Sequence, residues 1–228
     1  MKKLKSICII PIRSGSKGIK NKNLIKLRNK PLFYYVINEA LKIKKINKVI
    51  IAIDSKKYHQ EIKKYFKNKK IQFFYRSAFT STDKASTELV INEVISKLKI
   101  SSSNLILLQI TSPLTKSKHI LESLNYFIKN RFDSLFTSYK KIFFIWKKKN
   151  AKLESINYNH KKRPRRQEFY NQFVENGAIY IFKSDKYKKF KNRLFGKIGT
   201  YVMSEKFSHE IDSFEDLETL NVKLNSNK

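Results

Sequence analysis

The chain has 228 residues, of which 50 are Lys or Arg and 18 are Asp or Glu, so its formal net charge is +32. This length predicts a single domain spanning 1–228, and a hydrophobic share of 41% is typical of a globular protein with a full core. No apolar run approaches the roughly 20 residues that a membrane span requires, and segment 1–5 lacks the apolar region of a signal peptide. We therefore expect no membrane insertion and a cytoplasmic location.

The positive charge has two interpretations. Nucleic-acid-binding proteins tend to concentrate Lys and Arg on one stripe, with aromatic side chains between them for stacking. Here the lysines are spread over the predicted helix faces and the C-terminal region. This favours a diffuse surface bias and makes nucleic acid an unlikely partner. A basic surface would also steer anionic nucleotides and acidic sugars toward the protein.

Cys8 is the only cysteine. A single thiol excludes an internal disulfide and a cysteine-based metal site. Because Cys8 lies in an apolar run, we expect it to be buried and chemically inert.

In chain order, short apolar runs alternate with amphipathic stretches, which is the βαβ pattern of a mostly parallel sheet. The predicted strands are 6–10, 48–53, 71–75, 105–109, 134–139, 143–146, 178–182 and 200–203. Predicted helices begin at Pro31 and after an Asp54-Ser55 cap, run through Ile120–Ile128, and cover 82–99 and 212–224. The polar segment 151–171 is predicted to be a loop. The pattern predicts a three-layer α/β sandwich, with 139–173 as an excursion from it.

A basic loop, 11–23, directly follows the first predicted strand. Ligands of open α/β sheets bind beyond the carboxyl ends of the strands, and glycines let backbone N–H groups point at phosphate oxygens. The loop's candidate phosphate contacts are Arg13, Gly15, Lys17, Gly18 and Lys22. Its spacing matches neither the Walker A motif nor the dinucleotide fingerprint. Alone, it is equally compatible with a phosphate site and with an ordinary strand-to-helix turn.

Two further segments carry candidate ligand groups. The run 109–114 (QITSPL) ends a strand, so Gln109 and the hydroxyl of Ser112 could bind a sugar or base edge, or simply form a turn and cap. Glu210 and Asp212 are two residues apart, so in an extended segment they would face one side and could hold Mg²⁺ with substrate phosphates. The alternative makes Asp212 the N-cap of the last helix.

Together these segments resemble the acylneuraminate cytidylyltransferases, also called CMP-sialic acid synthetases. The similar blocks occur in the family's order: 10–19 (IPIRSGSKGI) with 22–24 (KNL); Arg76 with Asp83, Ser86 and Thr87; 108–109 (LQ) with 111–114 (TSPL); 163–167 (RPRRQ) with 175–180 (ENGAIY); and 210–212 (EID) with Asp216. Five blocks in register are far more specific than any one of them.

The resemblance implies a Rossmann-like nucleotidyltransferase fold, a homodimer whose protruding segment 139–173 reaches over the partner's site, Mg²⁺ as cofactor, and CTP and an acidic nine-carbon sugar as substrates. It implies transfer of CMP to the anomeric hydroxyl with release of pyrophosphate, with Arg13, Lys22 and Asp212 as the catalytic residues. The implied nucleotide contacts are Arg13, Gly15, Ser16, Lys17 and Lys22 at the triphosphate, and Asn23, Arg76, Ser86 and Thr87 at the cytidine. The implied sugar contacts are Gln109, Ser112, Lys147, Arg166 and Tyr180. Glu210 and Asp212 would hold the metal.

Two departures qualify the resemblance. Thr115 stands where an Arg commonly follows the Ser-Pro-Leu motif, and Glu210 stands where an Asp is common. Gly18-Ile19 argues against the related enzymes that activate the eight-carbon acid Kdo, whose loop typically carries Arg-Leu there. The alternatives are another sugar nucleotidyltransferase of the same fold, a sugar-nucleotide-binding module without activity, and a basic nucleic-acid-binding protein. The sequence does not identify the acid, which could be sialic, legionaminic or pseudaminic.

Overall fold

The computed structural model describes residues 4–15, 19, 21–169 and 172–225. The strands in these ranges are β1 (Lys5–Pro11), β2 (Lys26–Leu27), β3 (Lys30–Pro31), β4 (Ile46–Ile53), β5 (Ile71–Tyr75), β6 (Ser103–Leu108), β7 (Ser134–Lys140), β8 (Trp146–Lys149), β9 (Lys152–Ser155), β10 (Phe173–Lys183) and β11 (Ile198–Val202). The α-helices are α1 (Leu32–Leu41), α2 (Lys56–Tyr65), α3 (Thr87–Lys97), α4 (Ser117–Lys129), α5 (Ser184–Phe190) and α6 (Phe214–Asn225).

Seven of the described strands form one sheet in the order β11-β7-β10-β6-β1-β4-β5. Strand β10 runs antiparallel to both of its neighbours, and the other pairs are parallel. The central strand β1 is apolar because both of its faces are covered: Cys8 and Ile10 pack on one side of the sheet, and Ile9 packs on the other. The first side is covered mainly by α1, α2 and α4, and the second by α3 and α5. The predicted three-layer α/β sandwich is confirmed.

Cys8 is fully buried at the centre of the sheet, as predicted. Burial raises the pKa of its thiol far above the ordinary value, which keeps the group protonated and unreactive.

Some predicted elements have different bounds in the structure, and some observed elements were not predicted. The helix predicted over 82–99 begins only at Thr87, because Ser86 is its N-cap and accepts a hydrogen bond from Leu89 N at 3.3 Å. Ser55, and not Asp54, caps α2, since its hydroxyl accepts from Lys57 N at 3.2 Å. Helix α5 and the two-stranded β2–β3 sheet were not predicted from the sequence.

The segment between β7 and β10 differs most from the prediction. The strand predicted at 143–146 is wrong: 141–145 has no regular structure, and β8 starts at Trp146. The predicted loop 151–171 contains β9, which pairs with β8 in a separate two-stranded hairpin. Its turn residues, Asn150 and Ala151, have φ of 46° and 62°, as a type I′ turn requires. The sequence signal was weak because Asn-Ala replaces the usual Asn-Gly.

Across the described ranges, no helix is both long and apolar enough to cross a bilayer.

Candidate active site

The carboxyl edge of the parallel strands gathers most of the predicted site residues. Strand β1 leads into the basic loop, Asp54 follows β4, Arg76 follows β5, and Gln109 follows β6. The antiparallel strand β10 brings its first half to this same edge, where Gln109 N donates to Ala178 O at 3.3 Å. Convergent strand ends at one edge form the usual ligand crevice of an open α/β sheet.

Two side chains hold the basic loop at the peptide group that joins Arg13 to Ser14. Ser14 N donates to both carboxylate oxygens of Asp54 at 2.9 Å, and Asn23 Nδ2 donates to Arg13 O at 3.0 Å. Asn23, predicted to face the cytidine, is buried, and the amide of its side chain holds the loop. Ser16 and Lys17 lie outside the described residues.

Arg13 faces the loop that connects β5 to α3. Its Nη1 donates to Asp83 Oδ1 at 3.1 Å and to Asp83 O at 3.3 Å, across a half-exposed ion pair. Gly15 lies against the same carboxylate, because a Cβ at this position would be 3.2 Å from Asp83 Oδ1. Asp83 therefore lies over the part of the loop where the sequence predicted phosphate.

The other predicted cytidine contacts border this pair. Arg76 is half-buried, and its Nε is buried without a hydrogen-bond partner among the described atoms. Burial lowers the pKa of this guanidinium, an effect that Asp54 opposes and Arg13 reinforces. Ser86 is the N-cap of α3, and Thr87 is its first residue. This helix N-terminus carries partial positive charge and unpaired N–H groups, which suit an anionic or hydrogen-bonding ligand.

Lys22 joins the basic loop to the acidic block near the C-terminus. Its Nζ donates to Asp212 Oδ1 at 2.9 Å and to Ile211 O at 2.8 Å. The Lys22 side chain is mostly buried, whereas that of Asp212 is 72% exposed. Ile211 N in turn donates to Thr111 O at 2.8 Å, so the acidic block is fixed to the segment that follows β6.

Asp212 is free for this contact because it does not cap α6. Ser213 takes that position in a reciprocal cap: Asp216 N donates to Ser213 Oγ at 3.2 Å, and Ser213 N donates to Asp216 Oδ2 at 2.8 Å. The capping interpretation of Asp212 is therefore wrong, and its carboxylate projects toward Lys22.

Glu210 lies against Gly177 at the carboxyl edge. A Cβ at Gly177 would be 1.8 Å from Glu210 Oε1, and Gly177 has a φ of 61°, so glycine is required there on both counts. Burial, followed by repulsion from Asp212, raises the pKa of Glu210 from 4.5 to about 7. Lys22 offsets only part of this. A half-buried carboxylate beside like charges is a site that a cation would stabilise.

Tyr180 continues the site along β10. Its side chain is buried, and its hydroxyl donates to Glu175 Oε1. The guanidinium of Arg193 lies 4.8 Å from the centre of the Tyr180 ring, and Arg193 Nε donates to Glu88 Oε1 at 2.6 Å. Glu88 follows Thr87 in α3, so this chain of contacts connects the predicted cytidine and sugar regions.

Ser112 and Thr115 lie in the turn between β6 and α4. Both side chains are almost fully buried, and neither hydroxyl has a hydrogen-bond partner among the described atoms. Thr115, the departure from the family pattern, is therefore a packed turn residue in this structure.

The structure does not bring every predicted sugar contact to this edge. Lys147 lies in the exposed hairpin strand β8, and Arg166 lies in an exposed 3₁₀ turn of the same excursion. Neither has a contact with the acidic block within the described parts of the chain.

A family model described as cytidylyltransferase matches residues 7–222, which is nearly the whole chain. The chain belongs to the cytidylyltransferase family. The match includes the basic loop, Arg76, the 109–114 turn and the acidic block.

Curated relatives of this cytidylyltransferase include two N-acylneuraminate cytidylyltransferases. The one from Escherichia coli O18:K1:H7 (strain RS218 / NMEC) is 33% identical, covering 98% of this chain and 54% of its own length. The one from Streptococcus agalactiae serotype III (strain NEM316) is 30% identical, covering 93% and 52%. The chain thus spans about half the length of these relatives. The "post-translational flagellin modification protein B" of Campylobacter coli is 29% identical, covering 93% of this chain and 92% of its own.

Solved structures confirm the fold of the cytidylyltransferase. A CMP:2-keto-3-deoxy-manno-octonic acid synthetase in complex with CTP superposes with a TM-score of 0.72 at 16% identity, covering 98% of this chain and 100% of its own. A cytidylyltransferase from Leptospira borgpetersenii superposes with a TM-score of 0.64 at 16% identity, covering 96% and 86%.

The acidic block of the cytidylyltransferase fits a magnesium ion that substrate phosphates help to bind. Within the described ranges, no group of three or more His, Cys, Asp or Glu side chains forms a ready metal site. Mg²⁺ is usually held by one or two carboxylates plus substrate phosphates and water, and Glu210 and Asp212 supply that number. Burial and repulsion from Asp212 raise the pKa of Glu210, and a bound cation would favour its charged form.

Three residues at the site were not predicted from the sequence to have a role there: Asp54, Glu88 and Arg193. Asp54 directly follows a buried strand, and this position could have marked it, because strand ends of a parallel sheet meet at the ligand edge. Arg193 and Glu88 are 105 residues apart, and nothing in either local segment predicts their contact.

Proposed function

We propose that this cytidylyltransferase transfers CMP from CTP to the anomeric hydroxyl of a nonulosonic acid, an acidic nine-carbon sugar of the sialic-acid type, and releases pyrophosphate. The contact of Lys22 with Asp212 and Ile211 O carries the proposal. It unites the basic loop, suited to a triphosphate, with an acidic pair suited to a cation. A reaction on a metal-bound triphosphate needs both features in one place.

The chemistry we propose is in-line attack of the anomeric oxygen on the α-phosphorus of CTP. The P–O bond to the β-phosphate breaks, the leaving pyrophosphate takes the electron pair, and the proton of the anomeric hydroxyl passes to the solvent. Arg13 and Lys22 would hold the triphosphate and stabilise the negative charge that builds up as this bond breaks. Positioning and charge neutralisation provide most of the catalysis in transfers of this kind. When bound by Glu210 and Asp212, Mg²⁺ would supply further charge neutralisation for the phosphates.

The remaining predicted contacts divide the substrates between two regions. Arg76, Ser86 and Thr87 would face the cytidine, which suits the unpaired Nε of Arg76 and the N-terminus of α3. Gln109, Ser112 and Tyr180 would face the sugar; Gln109 directly follows β6, and Tyr180 lies on the neighbouring strand β10, opposite Leu107. The names of the relatives favour an N-acylneuraminate-like acid.

We also propose that the protein works as a homodimer in the cytoplasm, where CTP is available. The excursion 139–173 exposes the large apolar side chains of Ile145, Trp146, Leu153 and Ile156. Clustered exposed apolar groups are typical of an interface. In a dimer, Lys147 and Arg166 would act at the partner's site, which accounts for their distance from the site of their own chain.

The test is pyrophosphate release from CTP and Mg²⁺, with N-acetylneuraminic, legionaminic and pseudaminic acid supplied in turn. We expect release with at least one acid, none without acid, and none when EDTA replaces Mg²⁺. Replacement of CTP by ATP, GTP or UTP should abolish release. Release with UTP and not with CTP would point to another nucleotidyltransferase of this fold. If CTP binds but none of the acids supports release, the proposed sugar class is wrong.

A further inference from the structure

Where the basic loop leaves the sheet, the Asp54 carboxylate accepts a hydrogen bond that a backbone carbonyl would otherwise accept. Strands β1 and β4 are parallel, and Ile12 N extends their ladder by donating to Ala52 O at 2.8 Å. In a parallel ladder the next rung would run from Ser14 N to a backbone carbonyl two residues further along β4. Here Ser14 N donates instead to both oxygens of the Asp54 carboxylate at 2.9 Å, and Ser14 Oγ adds a contact at 3.2 Å.

This exchange of acceptors fixes the direction of the loop. A charged carboxylate is a stronger acceptor than a carbonyl, and a side chain can hold the amide outside the plane of the sheet. The second anchor holds the same peptide group, because Asn23 Nδ2 donates to Arg13 O at 3.0 Å. The peptide that joins Arg13 to Ser14 is therefore held by a side chain at its N–H and by another at its carbonyl.

Asp54 also influences the second arginine of the nucleotide site. Arg76 N donates to Ile53 O at 2.8 Å, which places Arg76 beside the end of β4. The Asp54 carboxylate opposes the lowering of the Arg76 pKa that burial and Arg13 cause. One half-buried carboxylate thus holds the loop that carries Arg13 and acts on the charge of Arg76, so it bears on both halves of the predicted nucleotide site.

We propose that Asp54 is a positioning residue for nucleotide binding: its carboxylate sets the loop that carries Arg13 and balances part of the charge of Arg76. The inference rests on the proposed function. It predicts whether removal of the carboxylate strengthens or weakens CTP binding. An acidic group beneath a triphosphate site repels the ligand through its charge alone, so a purely electrostatic role would make its removal strengthen CTP binding. A positioning role makes its removal weaken CTP binding.

Asn47 provides a matched control at the opposite end of the same strand pair. Its Oδ1 accepts a hydrogen bond from Ser6 N at 2.9 Å, so it anchors the start of β1 to the start of β4 as Asp54 anchors their ends. Asn47→Ala removes the same kind of bond far from the ligand edge.

The experiment is calorimetric titration of the full chain with CTP and Mg²⁺, for wild type, Asp54→Ala, Asp54→Asn and Asn47→Ala, with the melting temperature of each. We expect Asp54→Ala to raise the Kd for CTP at least about tenfold, as the loss of charge-assisted bonds would. Asp54→Asn, which keeps one acceptor oxygen, should fall between, and Asn47→Ala should bind as wild type does. With saturating CTP, the KM for the sugar acid should stay unchanged in Asp54→Asn.

Unchanged or tighter CTP binding in Asp54→Ala would overturn the inference while the proposed function stands. So would an equal loss in Asn47→Ala, because it would mean that general weakening of the sheet is the cause. If Asp54→Ala does not fold, Asp54→Asn decides by the same criteria. A wild-type chain that does not bind CTP would overturn the proposed function and this inference with it.

Discussion

At the scale of single residues, Lys22 and Asp212 are in contact although they are 190 positions apart in the chain, and their side chains are buried to different extents. Lys22 is mostly buried and also donates to a backbone carbonyl, whereas Asp212 is largely exposed. An exposed carboxylate contributes little to folding through such a pair. Asp212 can therefore be changed without loss of the fold, which makes it a suitable residue with which to test the chemistry.

We expect Asp212→Ala to lower kcat by at least about 10²-fold, the usual order when a charged group that stabilises a transition state is lost. Its melting temperature should stay close to that of wild type. Glu218→Ala, which removes another exposed carboxylate from α6, is the control and should keep full activity. Pyrophosphate release by Asp212→Ala at the wild-type rate would remove Asp212 from the metal assignment.

Glu210 predicts a dependence of stability on pH. Its pKa in the folded chain is about 7, against 4.5 for an ordinary Glu, because it is buried and lies beside Asp212. Below pH 4.5 the group is protonated in both states and has no effect. As the pH rises to about 7, the unfolded chain loses the proton first, so the free energy of unfolding falls, and the full cost remains above pH 7.

Glu210→Gln should therefore melt at a higher temperature than wild type at pH 8 without Mg²⁺, and the difference should vanish near pH 4.5. Excess Mg²⁺ with CTP should reduce the difference at pH 8, because bound ligand stabilises only the wild-type site. Scanning calorimetry at the two pH values measures this, with Glu218→Gln as control. A difference that does not change with pH would show that Glu210 is not destabilised by its surroundings.

Sequence motifs contain some of the residues that meet at the candidate site, and the fold alone brings in the others. Lys22, Glu210 and Asp212 each lie within recognisable blocks, and Lys22 and Asp212 are in contact in the structure. The position of Asp54 before a helix indicated a cap. Its contact with Ser14 depends on the pairing of β1 with β4, which no local pattern specifies.

At the scale of elements, Gly177 is necessary inside β10, where the register with β7 shifts between Glu175 and Tyr180. Gly177 has a φ of 61°, and Glu210 fills the space that a side chain would need. Gly196 offers a close comparison, because it has the same φ and a Cβ there would be 2.4 Å from Asp133 Oδ2. Both glycines are thus in the left-handed region with a carboxylate alongside.

Gly177→Ala and Gly196→Ala should both lose stability, on the order of 1–2 kcal/mol from the left-handed backbone alone. Only Gly177→Ala should lose activity, because it displaces Glu210. Denaturant unfolding and pyrophosphate release, measured on the same preparations, separate the two effects. If Gly177→Ala keeps the activity of Gly196→Ala, the position of Glu210 does not matter for the reaction.

The predicted element boundaries agree with the structure in apolar strands of the main sheet and disagree with it in exposed segments. The prediction of β5 at 71–75 is confirmed residue for residue, since each end is marked by a change in polarity. The hairpin β8–β9 is exposed throughout most of its length, so its sequence lacks a buried face and reads as a polar loop. Helix α3 starts late because Ser86, rather than the acidic and hydroxyl residues before it, provides the cap.

At the scale of the whole molecule, the exposed hairpin is the feature that a single chain does not explain. A two-stranded hairpin on its own is marginally stable in water. Leu153 is 65% exposed and Ile156 is 59% exposed, at positions that a packed partner would cover. Burial of these side chains in a second copy of the chain would stabilise the hairpin and bring Lys147 to the partner's site.

The double change Leu153→Asp with Ile156→Asp should therefore convert the dimer to a monomer, since it places two charges in an apolar interface. Light scattering coupled to size exclusion measures the mass, and Ile128→Asp, an exposed apolar residue of α4, should leave the dimer intact. The monomer should still bind CTP, because the basic loop and Arg76 lie within one chain, but it should lose turnover of the sugar acid. A fully active monomer would show that Lys147 and Arg166 have no part in the reaction, and a wild-type chain that is monomeric would remove the homodimer from the proposal.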